Sequence, residues 1–209
     1  MTEEELVDLT QNRAALMALY APPTRGFSMI EVPRLPFAVL DGEGPPDPTA
    51  IADAVKTLYT SIYPIRREAR ERMGKAFVEA PVEVLYWADD MRDLASGQRE
   101  KWQWRVQVTL PVWADEMRLE ASVAEMRHEL GGAAAPRWNA VAEGQCAQTL
   151  HVGPTEDMPA ILQGLYGDYL PGQGLEAAGP YHEIYLDDWN RVAPLQRRVI
   201  LRQPVRQLA

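Results

Sequence analysis

The stretch GPYHEIYLDDW (Gly179–Trp189) decides how the chain folds. It reads as a β-strand, and strand side chains alternate between two faces with a period of two. Tyr181, Glu183 and Tyr185 therefore share one face, while His182, Ile184 and Leu186 share the other. A carboxylate thus sits on an aromatic face. The stretch VEVLYWADD (Val82–Asp90) has the same outline, and laying Val84 on Glu183 places Leu85 on Ile184 and Tyr86 on Tyr185. WRVQVTLPV (Trp104–Val112) lies against RRVILRQPV (Arg197–Val205), pairing Arg105 with Arg198 and Val106 with Val199. GPPDPTAIADAVKTLY lies against GPTEDMPAILQGLY with a small gap. Each match is weak alone, but all of them in one order mark an internal repeat.

The remaining elements follow from this frame. Residues 1–20 read as a helix, with Thr2 and Glu5 at capping-box spacing and Leu6, Leu9, Ala14, Leu16 and Leu19 on one face. APPTRG (Ala21–Gly26) stops it. Strands are predicted over 27–32 and 36–44. A helix begins near Pro48 and runs to about Met73, with Pro64 kinking or dividing it. Strands over 81–90 and 101–113 follow, then a helix over 114–130 closed by Gly131 and Gly132. The second half supplies strand material over 137–152, a helix over 157–170, and strands over 179–188 and 197–205. The expected fold is α+β, a pseudo-twofold tandem of two β-α-β-β modules forming a concave antiparallel sheet with outer helices and a central cleft. An N-terminal helical extension covers 1–25 and the main domain 26–209. Within it, module one spans about 26–115, a connecting helix about 115–132, and module two about 136–206. Each helix covers one sheet face. The opposite face is expected to stay open and to form a shared surface for a small ligand. Glu183 is expected to point into it, because a solvated position would not need valine as its twin.

Composition narrows the function. The 209 residues are 46% hydrophobic, enough for a substantial core. With 21 basic against 30 acidic residues the net charge is −9, which disfavours direct nucleic-acid and membrane-surface binding. The densest basic run, YPIRREARER (Tyr63–Arg72), carries acids at helical spacing and reads as a solvated helix face. The acidic start MTEEELVDL lacks a signal peptide's basic region, and no apolar run reaches the length of a membrane span. Cys146, the one cysteine, forms no internal disulfide, which fits a reducing cytoplasm. The three histidines, His128, His151 and His182, have no zinc-site spacing, so no metal and no cofactor is expected.

Glu183 is the leading catalytic candidate. In an aromatic cleft its charged form would be desolvated, fitting it to act as a general base or to attract a cation; the alternative is an ion pair with Arg105 or Arg198. Tyr185 shares its face and reads either as a donor to a developing oxyanion or as an aromatic wall. Tyr181 and Tyr86, the latter the twin of Tyr185, are further ligand-binding candidates. Trp102 and Trp104 read as an aromatic clamp or as core. Trp87 has opposite parity to Tyr86, so a regular strand cannot turn both into the cleft.

LYAPP (Leu19–Pro23), IEVPRLPFAVLDGEGPPD (Ile30–Asp47), KWQW (Lys101–Trp104), LHVGP (Leu150–Pro154), HEIYLDD (His182–Asp188) and ILRQPV (Ile200–Val205) together resemble the stand-alone GyrI-like small-molecule-binding proteins. The resemblance runs from about Leu19 to Val205 and is closest to the branch that includes cyclopropanoid cyclopropyl hydrolases. It implies a fold of two SHS2-type modules and a cleft-floor carboxylate, matched by Glu183. It also implies opening of the cyclopropane in yatakemycin- or duocarmycin-type DNA alkylators, for detoxification and self-resistance. The alternative is a non-catalytic binder of lipophilic or cationic drugs, used for sequestration or sensing. Either way the expected partner is a small aromatic molecule, and the protein is expected to be a monomer or homodimer. Thr155 stands where the family often has an aromatic residue, and Tyr86-Trp87 stands where it often has Trp-Trp; these departures bear on the substrate.

Overall fold

The computed structural model describes residues 5–42, 44–74, 79–89, 99–189 and 191–208. The first helix, α1, covers only Arg13–Tyr20, with the Asn12 side chain accepting from the Ala15 N–H at 3.0 Å. The expected helix over 1–20 is therefore shorter. Asp8 folds the chain before it by accepting from the Thr10 N–H at 2.9 Å, a local bond that competes with helix; Thr2 lies outside the described residues. The predicted helix after Pro48 is two helices, α2 (Pro48–Ser61) and α3 (Tyr63–Met73). Asp47 caps α2 by accepting from Thr49 and Ala50. Pro64 has no N–H and clashes with a preceding turn, so it is accommodated in the first turn of a new helix. Next come α4 (Glu116–Glu125) and α5 (Arg127–Leu130), ending at Gly131 in the left-handed conformation with φ 58°. Then comes α6 (Met158–Gly164), which continues through a wide π turn over Leu165–Tyr169 into the short α7 (Leu170–Gly172).

The strands are β1 (Ser28–Val32), β2 (Leu35–Gly42), β3 (Val82–Trp87), β4 (Gln103–Thr109), β5 (Arg137–Val141), β6 (Gly144–Val152), β7 (Leu175–Ala177), β8 (Tyr181–Tyr185) and β9 (Arg198–Gln207). They form an antiparallel sheet in the order β1-β6-β9-β8-β3-β4-β2-β5, with β7 pairing separately with β9. The order is symmetric about the β3–β8 pair. There Val84 lies directly opposite Glu183, so the two residues matched by the repeat face each other at the pseudo-twofold. In the outer strands the repeat match is off by two. Val106 lies opposite Val84 and Leu201 opposite Glu183, which makes Leu201, rather than Val199, the counterpart of Val106.

Only two residues separate β1 from β2, and two separate β5 from β6, yet the members of each pair lie six strand positions apart in the sheet. Six spacings in a flat sheet span about 29 Å, while the three Cα steps from Val32 to Leu35 reach about 11 Å at most. The sheet must curl until its ends approach each other. Val32, Phe37 and Val39 from the ends accordingly share one buried cluster with Ile184 and Ile200 from the middle, and Leu9, Leu16, Leu19 and Tyr20 of the N-terminal segment fill it. The outer face of the curl carries the other main cluster, in which Leu58 and Ile62 pack on Val84, Trp104, Val106 and Leu201.

Candidate functional site

The curl corrects the expected position of the cleft. The face opposite the helices is filled, and the opening lies on the helix-bearing face, between α2 and α6 and over the β3–β8 pair. It has a volume of about 1280 Å³. Ile51 and Val55 of α2 form one wall, Met158 and Leu162 of α6 the other, and Val84 and Glu183 the floor. Each wall is the apolar stripe of an amphipathic helix that its own module leaves partly uncovered.

Glu183 sits at the centre of β8, and strand parity places both neighbouring tyrosines on its face. The Tyr185 hydroxyl donates to Oε2 at 2.5 Å and the Tyr181 hydroxyl to Oε1 at 3.3 Å. Burial, with the Glu183 charge adding to it, raises both phenols well above the usual tyrosine range. They remain proton donors at any physiological pH. Arg105 bonds Asp41 at 2.6 Å and Arg198 bonds Asp187 at 2.6 Å, so the two arginines weighed as ion-pair partners for Glu183 are engaged elsewhere. The Arg198 guanidinium holds the Asp187 carboxyl below the usual range.

Tyr86 stacks on Tyr181 with ring centroids 6.2 Å apart and tilts against Trp102 at 5.6 Å. Tyr86, Tyr181, Tyr185 and Trp102 all line the cleft. Trp104 does not. It is 3% exposed in the outer core, and its indole covers Gly42 so closely that a Cβ there would lie 1.9 Å from the ring. Trp102 and Trp104 therefore form no clamp, because only Trp102, just before β4 begins, reaches the opening. Trp87 lies on the other sheet face beneath the Arg105 guanidinium, 5.7 Å from the ring centroid, as its parity requires. Sequence reasoning missed Trp189. It meets Tyr185 edge-on at 4.7 Å, with the Arg197 guanidinium 4.9 Å from its ring centroid. Its place at the end of the strand stretch was the available signal, but strand parity says nothing about a residue beyond the strand. Thr155 also borders the cleft. Cys146 is buried inside the curl, which pushes its thiol pKa upward.

The architecture is two modules sharing one cleft over the β3–β8 pair. Residues 139–203 match the GyrI-like small molecule binding domain, a span that contains β6, α6, β8 and most of β9. An uncharacterized conserved protein from Listeria innocua is 28% identical, with 90% of this chain and 95% of that chain covered and a TM-score of 0.76. A hydrolase from Listeria innocua is 26% identical, covering 96% of this chain and 100% of its own at a TM-score of 0.75. The EcmrR C-terminal domain, at 12% identity and a TM-score of 0.53 over 88% of this chain and 98% of its own, shares the fold. No curated protein matches the chain. No helix among the described residues is long and apolar enough to cross a membrane.

Proposed function

We propose that the protein binds a flat, electrophilic aromatic molecule in the cleft and adds water to it, opening a cyclopropane conjugated to a dienone as in yatakemycin- and duocarmycin-type alkylators. The observation that carries this reading is the Glu183 carboxylate, fixed on an apolar, aromatic floor by two phenol donors. Such a base is held in place by its two phenols on the floor of the space a ligand would occupy. Glu183 takes a proton from water as the water oxygen bonds to the ring methylene. The strained C–C bond breaks, and its electron pair passes through the dienone to the carbonyl oxygen. The resulting phenolate takes up the proton. Once Glu183 is protonated it accepts more weakly, and the Tyr185 hydroxyl is released to donate to that phenolate. Trp102, Tyr86 and Trp189 supply faces and edges for a planar ligand. The similarity to a Listeria hydrolase along nearly the whole chain supports a hydrolytic role.

A second reading is a binder without chemistry. It is favoured by the direction of the two phenol hydrogen bonds, which end on Glu183 itself and leave a negative floor in an aromatic cage suited to a lipophilic cation. Mass spectrometry of a duocarmycin-type substrate after incubation separates the two. Hydrolysis predicts a product heavier by one water, formed at least ~100-fold more slowly by Glu183→Gln, in line with loss of a general base. Substrate recovered unchanged from the wild type, or equal rates in the two proteins, removes the hydrolytic reading.

A further inference from the structure

We propose that Glu83, Glu143 and His182 form a binding site for one divalent transition-metal ion inside the curled sheet, on the far side of β8 from the cleft. The three residues come from β3, from the turn between β5 and β6, and from β8. One imidazole nitrogen and one oxygen from each carboxylate lie within 4.8 Å of one another. The side chains are 0% exposed for His182, 1% for Glu83 and 6% for Glu143.

Two independent features point to an ion. The first is His182, whose ring nitrogens are both buried and make no hydrogen bond. The carboxylate oxygens they face stand at 3.6 Å from Nδ1 (Glu83) and 3.3 Å from Nε2 (Glu143). These distances exceed the usual 2.7–3.2 Å of an N–H···O bond. The shorter one is about the edge of a tetrahedron whose metal–ligand bonds are about 2.0–2.1 Å. The second feature is charge. Two carboxylates are enclosed here beside one buried guanidinium, Arg202, which acts on Glu83 through its charge while its hydrogen bonds go to Gln148 Oε1 at 3.1 Å and the Leu19 carbonyl at 2.5 Å, so with a neutral His182 one negative charge is left over in this cluster. Enclosed charges need pairing, and a divalent ion supplies it.

The surroundings resemble the supporting shell of a metal site. Glu83 accepts from the Tyr20 hydroxyl at 2.7 Å and from Gln107 Nε2 at 2.8 Å, bonds that would orient it as a ligand. The Cys146 thiol donates to Glu143 Oε2 at 3.7 Å, a second contact that would orient this ligand. Two carboxylates and an imidazole suit zinc or manganese. A closed site of this kind is structural: it would fasten the β5–β6 turn to the back of the strand that carries Glu183.

The test uses the full chain. Chelator-treated protein is titrated with zinc chloride by calorimetry, and zinc content after dialysis is read by mass spectrometry. The expected result is one ion per chain. Affinity should fall in Glu143→Gln and in His182→Gln by more than the 10–100-fold typical of an outer-shell change, and should be unchanged in His128→Gln. Should His182→Gln fail to fold, Glu143→Gln and the visible bands of cobalt(II) bound by the wild type still decide the matter. No saturable uptake by the wild type, or full uptake by Glu143→Gln, overturns the site. Glu183→Gln should bind zinc normally, so failure of the cleft chemistry and failure of the metal site are distinguishable.

Discussion

At the scale of single residues, the cleft depends on one strand's alternation. Parity alone put Tyr181, Glu183 and Tyr185 on one face, and the structure turns that adjacency into two hydrogen bonds on one carboxylate. What parity could not supply is neighbours from elsewhere. Glu143 is 39 residues from His182 in sequence, and only the curl brings them together, so a search for short metal-ligand spacings passes over them. The two tyrosines lead to a pH prediction. Burial first, then the Glu183 charge, raises both phenols above their unfolded value near 10. A group whose folded pKa is raised gives stability that is present below the unfolded pKa and lost as pH rises beyond it. Stability should therefore decline above about pH 10. Spectrophotometric titration at alkaline pH should resolve a set of tyrosines that ionise only as the protein unfolds. Tyr185→Phe should remove one of them and flatten the decline. Ordinary titration of every tyrosine in folded protein would show that the cleft is wetter than the structure has it.

At the scale of elements, the repeat and the turn signals made most boundaries readable. The helix over 48–73 carried its own break in Pro64, and the strands fall within a few residues of their predicted positions, except that β7 was not foreseen and the strand material over 137–152 is divided into β5 and β6. The repeat failed where side-chain chemistry diverged. Matching Arg105 to Arg198 looked natural, but those arginines serve different acids, Asp41 and Asp187, and the ladder runs two residues out of step with the match. Trp104 was left open between clamp and core for a related reason. A tryptophan on an amphipathic strand looks the same whether the space over it is open or filled. Here Gly42, directly across the ladder, leaves the room that the indole occupies. Gly42→Ala places a methyl group inside that ring's volume, and a buried indole on a central strand has little space to yield. The substitution should cost about 1–3 kcal/mol, the usual range for an overpacked core. Urea denaturation followed by tryptophan fluorescence would read it as a lower midpoint at unchanged slope. An unchanged midpoint would mean that Trp104 has room to move aside.

At the scale of the whole molecule, the curl decides everything the local patterns left open. It seals the face opposite the helices and moves the candidate cleft to the helix-bearing face. It also makes the N-terminal segment part of the interior, although the family resemblance begins only at about Leu19. Leu9, Leu16, Leu19 and Tyr20 fill the inner cluster, the Tyr20 hydroxyl bonds Glu83, and the Leu19 carbonyl accepts from buried Arg202. Burying each of these apolar side chains contributes about 1.5–3 kcal/mol, an upper figure because unfolded chains already bury some surface. Together they supply about 6–12 kcal/mol, comparable with the roughly 5–15 kcal/mol that separates a typical folded domain from its unfolded state. Removal would also strand a carboxylate and a guanidinium in a cavity without two of their partners. A chain lacking residues 1–20 should therefore lose its fixed core even though both modules, with the floor and the two helical walls of the cleft, are retained. The expected signs are loss of near-ultraviolet circular dichroism and strong binding of a hydrophobic dye, with far-ultraviolet signal partly kept. A truncated chain that still melts cooperatively near the full-length temperature would show that the curled sheet closes without its N-terminal plug.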